Sequence, residues 1–424
     1  MTDFLAFIRK HGNLKKAWQT IKVNGNRSSS PYVKDDIEKF STSEDSNIRS
    51  ISTKIQHGTY EFSPARGIAL EKPNKPGSVR PIVIPRAQDR LVQRCILDAL
   101  ISDPTLRAEA FQPTSFGGVP KRSSTELAGV PAAIKAVMDA IISGGTHVII
   151  ADIASFFSNI RKSDAALKIS KYSSDPKFIE LFNRAIKVDL DNHEIIWRHK
   201  DAFPYGDIGV GQGVCLSPFL GNLVLSDIDK ELNMGDCSCI RYVDDIIIIA
   251  PSGRAASARF RKAKKLLQDK GMEFSHEKTS ITPIEVSQKF EYLGIEFNNR
   301  MIRPSQKSRN SILKRTMDVA SLSLQMIKSS QSASEFNTNY SIPRTLSKIS
   351  GMSRGWANHY RFCNDIETII NVDRKISNSF LSYSKKSIEI AKQKIDEGKQ
   401  DLAASYLGYS GMTGVDFDPF GWDQ

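Results

Sequence analysis

Apolar positions recur along this chain with two periods, and the switches between them predict its elements. From Leu5 to Lys22 they return every three to four residues among lysines, which predicts basic helical pieces, and a Ser-rich break follows at Asn26 to Pro31. Between Gly67 and Pro85, the turn-forming run Lys72-Pro-Asn-Lys-Pro-Gly-Ser-Val-Arg80 precedes Pro81-Ile-Val-Ile-Pro85, the pattern of a hairpin with a basic tip. Over Arg86 to Ile101, the apolar residues Leu91, Val92, Cys95, Ile96, Leu97 and Leu100 predict an amphipathic helix. A Gly-rich loop, Phe116 to Pro120, leads to an expected helix over Ser124 to Ser143, and 160–190 also reads as mostly helical. His147-Val-Ile-Ile-Ala-Asp152 is a buried strand ending in an acid. Ser217-Pro218 opens a helix over Phe219 to Leu232. Cys239 to Val243 and Ile246 to Ala250 are two short apolar strands joined in a tight hairpin at Asp244-Asp245. A helix over Ala255 to Lys270 and a strand pair over Phe290 to Phe297 follow. From Ser305 to Lys399 the pattern is almost wholly helical, with a Ser/Asn-rich loop near Gln331 to Ser341. Strands and helices intermix before a helical last third, so the fold class is α+β.

Composition narrows the function. The 424 residues are too many for one compact core and suit two or three substructures. No apolar run approaches the roughly 18 residues of a membrane span, and the N-terminus has no signal-like block. Five cysteines without a CxxC pair argue against a disulfide framework and a structural zinc site, and the compartment reads as cytoplasmic. The net charge of +12 is uneven: residues 301–400 carry 17 basic and 8 acidic side chains, whereas the last 24 residues hold four Asp and nothing basic. A concentrated positive region points to a polyanion, most simply nucleic acid.

The chemistry concentrates in three aspartates. Asp152 ends a strand, and Asp244 and Asp245 sit at a hairpin tip between strands too apolar to be exposed. Buried carboxylates need positive charge opposite them, and adjacent ones repel. Divalent cations resolve this: Mg²⁺ takes oxygen ligands and shares its shell with phosphates, and a pair of ions suits in-line attack at a phosphate. Taken alone, Asp-Asp at a turn is a weak signal, since turns favour Asp.

The residues around these acids resemble those of reverse transcriptases, the bacterial group in particular. Tyr242-Val-Asp-Asp245 is similar to the family's catalytic hairpin, and Asp152-Ile-Ala-Ser-Phe-Phe157 to the strand end that supplies its first metal-binding Asp. Gln212-Gly-Val-Cys-Leu-Ser-Pro218 with Asn222 and Leu225 resembles the loop and helix supporting the templating pair. Arg80-Pro-Ile-Val-Ile-Pro85 is similar to the fingers hairpin. Phe116-Gly-Gly-Val-Pro-Lys-Arg-Ser123 resembles a further element, with Gly where an aromatic residue is frequent. Glu277-Lys-Thr279 and Tyr292-Leu-Gly-Ile-Glu-Phe297 match two later palm elements. All run in the family's order from Gly67 to Phe297.

The resemblance implies a right-hand polymerase: an N-terminal helical extension (1–66), fingers and palm (67–300), a basic helical thumb (301–400) and an acidic aromatic tail (401–424). It implies two Mg²⁺ ions, for which Mn²⁺ can substitute, on Asp152, Asp244 and Asp245 with the Ile153 carbonyl. The incoming dNTP would meet Arg80, Lys72 (or Lys75), Gln212, Gly213 and Lys278, the last as proton donor to pyrophosphate. Phe157 would exclude a 2′-OH; core packing is its plain alternative, as a solvated surface role is for Lys278. Arg122, Arg354 and Arg361 are candidate nucleic-acid contacts. Arg354-Gly-Trp-Ala-Asn-His-Tyr-Arg361 resembles a thumb element of group II intron enzymes, in which Trp356 reads as a core anchor. Neither a Cys-pair endonuclease nor an RNase H-like acidic set is visible after the thumb. The nearest kind is a stand-alone, defence-associated enzyme copying a structured, co-encoded non-coding RNA into cDNA; retron or group II intron enzymes are the neighbours. A maturase-like RNA-binding protein and an RNA-templated RNA polymerase are rivals of other classes. Oligomeric state is open.

Overall fold

The computed structural model describes residues 2–72, 75–121 and 125–409. They divide between Glu285 and Val286 into two compact units, a boundary inside the 67–300 span read as fingers and palm. Among the described residues no helix is long and apolar enough to cross a membrane.

The first unit opens with four helices, α1 (Phe4–Arg9), α2 (His11–Asn26), α3 (Pro31–Ser41) and α4 (Glu44–His57). Gly58, at φ +73°, ends α4; the Gly58 and Thr59 N–H groups bond back to the Ile55 and Lys54 carbonyls at 3.1 and 2.9 Å. The expected hairpin is β1 (Arg66–Lys72) with β2 (Lys75–Ile84), paired from Arg66↔Ile84 to a slip of register between Glu71 and Lys72. The amphipathic helix follows as α5 (Ala87–Ser102), with Leu91, Val92, Cys95, Ile96 and Leu100 all buried.

α6 (Pro104–Ala110), β3 (Ser115–Phe116), α7 (Val130–Ile142), β4 (His147–Asp152), α8 (Phe156–Asn159), α9 (Lys162–Ser170), α10 (Pro176–Ile186) and α11 (His193–Ile196) come next. α11 runs into a 3-10 turn, Trp197–Ala202. α12 (Ser217–Leu232), β5 (Ser238–Tyr242), β6 (Asp245–Ala250), α13 (Gly253–Asp269) and β7 (Ile284–Glu285) complete the unit. The sheet order is β3-β5-β6-β4-β7, antiparallel except for β3 beside β5.

Two expectations need correction. The Gly-rich loop begins inside β3, whose two residues, Ser115 and Phe116, pair with Arg241 and Tyr242. The helix expected from Ser124 begins at Val130, because Gly129 turns the chain at φ +63° and Pro131 sits in the first turn, where its missing N–H costs nothing.

The second unit begins with a three-stranded sheet of β8 (Lys289–Tyr292), β9 (Ile295–Asn298) and β10 (Met301–Pro304). Phe290 and Phe297 stack across it at 4.7 Å. α14 (Gln306–Ser329), α15 (Ile342–His359), α16 (Ile366–Asp396) and α17 (Gln400–Tyr406) follow, α14 and α16 being capped by Ser305 and Asp365. Ile312, Ile327, Ile349, Val372, Ile376 and Tyr383 make their core. The span read as a tail starts inside this core: Tyr406 is fully buried, and its hydroxyl donates to the Ile327 carbonyl at 2.7 Å. Residues 410–424 lie outside the described residues.

One buried acid on α5 couples the fold to pH. Asp89 accepts from the Tyr60 hydroxyl (2.7 Å) and the Ser63 N–H (3.1 Å), yet burial pushes its carboxyl up to about 6. Because the folded state holds this proton more tightly than the unfolded chain, the stability from Asp89 is full at low pH and lost as pH rises through about 6. Relative to Asp89→Asn, the wild type should lose about 2 kcal/mol between roughly pH 4 and pH 7. Urea unfolding of both proteins at the two pH values measures it, and parallel pH dependences would refute it.

Candidate active site

Pairing register assembles the three acids. β4 and β6 pair from His147↔Ala250 to Asp152↔Asp245, and Asp245 also faces Tyr242 on β5. The hairpin tip differs from the expected one: Asp245 is already the first residue of β6, and the turn consists of Val243 and Asp244. Val243 has φ +59°, the left-handed region that a β-branched side chain rarely enters; such strain costs of order 1–3 kcal/mol. The Val243 N–H donates to the Phe116 carbonyl at 3.1 Å, and the Ile153 N–H to the Asp244 carbonyl at 2.9 Å. A Cβ at Gly117, itself at φ +82°, would stand 2.5 Å from Val243 Cγ2, so the Phe116-Gly117 pair is the seat of the turn.

Electrostatics at the site register a deficit of positive charge. Burial, then the neighbouring charges of Asp244 and Asp152, push the Asp245 carboxyl up to about 6. Asp244 is raised for the same reasons, burial first, against the opposing pull of Lys278 and Arg80. Lys278 Nζ donates to Asp152 Oδ1 at 2.7 Å, and that bond raises the Lys278 ammonium. As placed, no three His, Cys, Asp or Glu side chains among the described residues are grouped to hold an ion. The fit to a divalent metal is therefore one of donor chemistry and charge: Asp152, Asp244 and Asp245 offer hard oxygens where cations are short. Lys278 supplies part of that charge.

The other expected residues divide. Arg80, exposed on β2, is near enough for its charge to act on Asp244. Lys72 lies at the end of β1, half-buried. The pair Phe156-Phe157 splits its roles. Phe156 is buried, and a Cβ at Gly221 would be 2.7 Å from its ring, whereas Phe157 stays half-buried. Gln212 and Gly213 pack on the β1–β2 hairpin: the Val83 N–H donates to the Gln212 carbonyl at 2.7 Å. Gly213, at φ +98°, has the Val83 carbonyl 3.0 Å from where a Cβ would sit.

In the second unit, Arg354 and Arg361 are exposed. Trp356 is half-buried, its Nε1 donating to Ser308 Oγ at 3.1 Å, and the Tyr360 hydroxyl bonds the same oxygen at 2.7 Å. Trp356, His359 and Tyr360 line a cleft of about 680 Å³ with Lys307 and Arg315, two cations that sequence reading did not single out. Arg122 lies outside the described residues, as do the side chain of Lys75 and the hairpin tip at 73–74. Sequence reading also missed Arg241, which is 1% exposed and bonded to the turn. Its signal was present: an arginine inside an apolar strand requires a buried acceptor.

The family model described as "Reverse transcriptase (RNA-dependent DNA polymerase)" matches residues 70–297. Protein YkfC of Escherichia coli (strain K12) is 30% identical over 192 residues, 44% of this chain and 45% of that protein. The group II intron-encoded protein LtrA of Lactococcus lactis subsp. cremoris is 27% identical over 215 residues, 50% of this chain and 32% of LtrA. The chain thus spans less than half the length of these curated relatives. Among solved structures, apo telomerase from Candida tropicalis aligns with a TM-score of 0.42 and 15% identity, covering 82% of this chain and 62% of that one.

If Lys278 compensates Asp152 when metal is absent, Lys278→Met should lose about 1 kcal/mol of stability in EDTA, since the lysine is largely exposed. Excess Mg²⁺ should then raise its melting temperature more than that of the wild type. Equal shifts for both proteins would remove this role.

Proposed function

Since this chain belongs to the reverse transcriptase family, we propose that it is an RNA-directed DNA polymerase. The observation that carries the reading is the register setting Asp152 opposite Asp245, with Asp244 in the adjoining turn. In this reading Asp152, Asp244, Asp245 and the Ile153 carbonyl hold two Mg²⁺ ions. When bound, these supply charge neutralisation for a 3′-hydroxyl attacking the α-phosphate and for the departing pyrophosphate.

The protein's own groups do the rest. Arg80, with Lys72 at the base of the hairpin, binds triphosphate oxygens, for which a guanidinium fork is suited. Phe157 lies under the sugar and excludes a 2′-OH. Gln212 and Gly213, held on β2, support the templating pair. Lys278, released from Asp152 as cations enter, is free to donate its proton to the leaving pyrophosphate. Arg122, Arg354 and Arg361 contact nucleic-acid backbone, and the basic helical unit follows the duplex through its phosphates.

In the finer part of the proposal, the template is a structured, co-encoded non-coding RNA, the product is cDNA, and the setting is antiphage defence in a bacterial cytoplasm. It rests on the likeness of a compact chain with a helical last third to stand-alone defence enzymes, an argument by analogy. The similarity to LtrA favours a group II intron-type enzyme as a second reading. Sequencing the nucleic acid that co-purifies with the protein separates them: one short RNA with its complementary DNA supports the first, an intron RNA the second, and random cellular RNA neither.

Two substitutions test the polymerase itself. Asp244→Asn should lower RNA-templated dNTP incorporation by about 10³-fold or more while RNA binding persists; retained incorporation would remove these acids from the reaction. Phe157→Ala should raise rNTP use relative to dNTP by on the order of tenfold. An unchanged ratio would return Phe157 to core packing.

A further inference from the structure

Arg241 immediately precedes the Tyr242-Val-Asp-Asp245 hairpin and is buried, with every guanidinium hydrogen directed at an acceptor. Nε and Nη2 donate to the two carboxylate oxygens of Asp229 on α12, at 2.8 and 2.5 Å. Nη1 donates to Asn222 Oδ1 at 3.0 Å and to the Val243 carbonyl at 2.9 Å, and Nη2 also donates to Ser115 Oγ at 2.7 Å. A guanidinium has five donors, and all five are placed. Asn222 passes the connection on, its Nδ2 donating to the Gly117 carbonyl at 3.1 Å. One cation thus joins α12, β3 and the carbonyl of the strained residue in the turn.

We propose that Arg241 is a positioning residue, which clamps Val243 in its left-handed conformation and thereby fixes where Asp244 and Asp245 stand. The valine is the reason a clamp is needed. At φ +59° its branched side chain opposes the backbone, so the turn would relax unless both of its peptide groups were held. The Phe116 carbonyl holds the N–H and Arg241 holds the carbonyl. Lysine cannot replace the arginine, because its three donors cannot serve a bidentate carboxylate, Asn222, Ser115 and the turn together. For its kinetic consequence the inference rests on the polymerase reading; for the conformation of the turn it does not.

The test removes the guanidinium and its counter-charge together, as Arg241→Gln with Asp229→Asn, so that no buried charge is stranded. Hydrogen exchange of the 241–246 amides in metal-free protein should accelerate by about tenfold or more in the double variant. The Mg²⁺ concentration for half-maximal dNTP incorporation should rise by about tenfold, with RNA binding unchanged. Adding Val243→Gly should bring that requirement back to within about threefold of the wild type, because glycine adopts positive φ without strain. A merely structural ion pair would not be rescued from the turn. Wild-type exchange, an unmoved Mg²⁺ requirement, or failure of Val243→Gly to restore it overturns the proposal. If the double variant does not fold, Arg241→Lys alone should shift both readouts in the same direction, and unmoved readouts again overturn it. Absence of incorporation by the wild type would count against the polymerase reading, while the exchange measurement would still decide the role of Arg241.

Discussion

Everything at the site depends on the register between β4 and β6. Side chains alternate faces along a strand, so a slip of one residue would carry Asp152 to the opposite face from Asp245. The register is secured by the apolar residues before it: Val148, Ile149 and Ala151 on one strand and Ile246, Ile247, Ile248 and Ile249 on the other are all buried. Both faces of the pair are covered, so sliding it would force these side chains into spaces shaped for their neighbours, at about 1–3 kcal/mol for each misfit. The hydrophobic effect therefore holds in place an arrangement of like charges that is unfavourable in itself.

The same reasoning explains what was legible in the sequence. β4, β5 and β6 announce themselves as short apolar runs, and Asp152 is conspicuous because an acid closes one of them. α5 and the hairpin before it were equally plain, from helical spacing and from Pro/Gly punctuation. β3 was not, because two residues at the start of a Gly-rich segment carry no period, and their strand character comes from the Arg241 and Tyr242 backbones beside them. The turn shifted by one residue for a related reason. Asp-Asp is the better turn former, but pairing of Asp245 with Tyr242 and Asp152 draws it into the strand and leaves valine in the strained position. Long-range pairing outweighs local preference there. Lys278 was legible only through resemblance, since nothing near it in sequence says that it meets Asp152.

Buried charge elsewhere in the molecule shows how the protein treats acids that it pairs with its own cations. Asp229 is 5% exposed and receives a bidentate arginine. Glu296, 2% exposed within the small sheet of the second unit, is surrounded by Lys289, Arg303 and Arg309. Against the cost of burial, Lys289 and Arg303 hold its carboxyl below the usual range. In both places fixed protein cations balance the acid permanently.

Asp244 and Asp245 are treated differently. They lie close to a third acid, burial and neighbouring carboxylates raise both, and the cations acting on them, Lys278 and Arg80, are exposed side chains. A chain able to surround Glu296 with three cations has left these acids undercompensated, at a cost in stability. Such a cost persists where charge must arrive from outside and leave again, as the proposed reaction would require when metal ions and a triphosphate enter and pyrophosphate departs. On the proposed reading, the rigid elements beneath the turn and the exposed cations beside it are two halves of one arrangement: Arg241 would keep the carboxylates still, and Lys278 would keep their charge tolerable until substrate arrives.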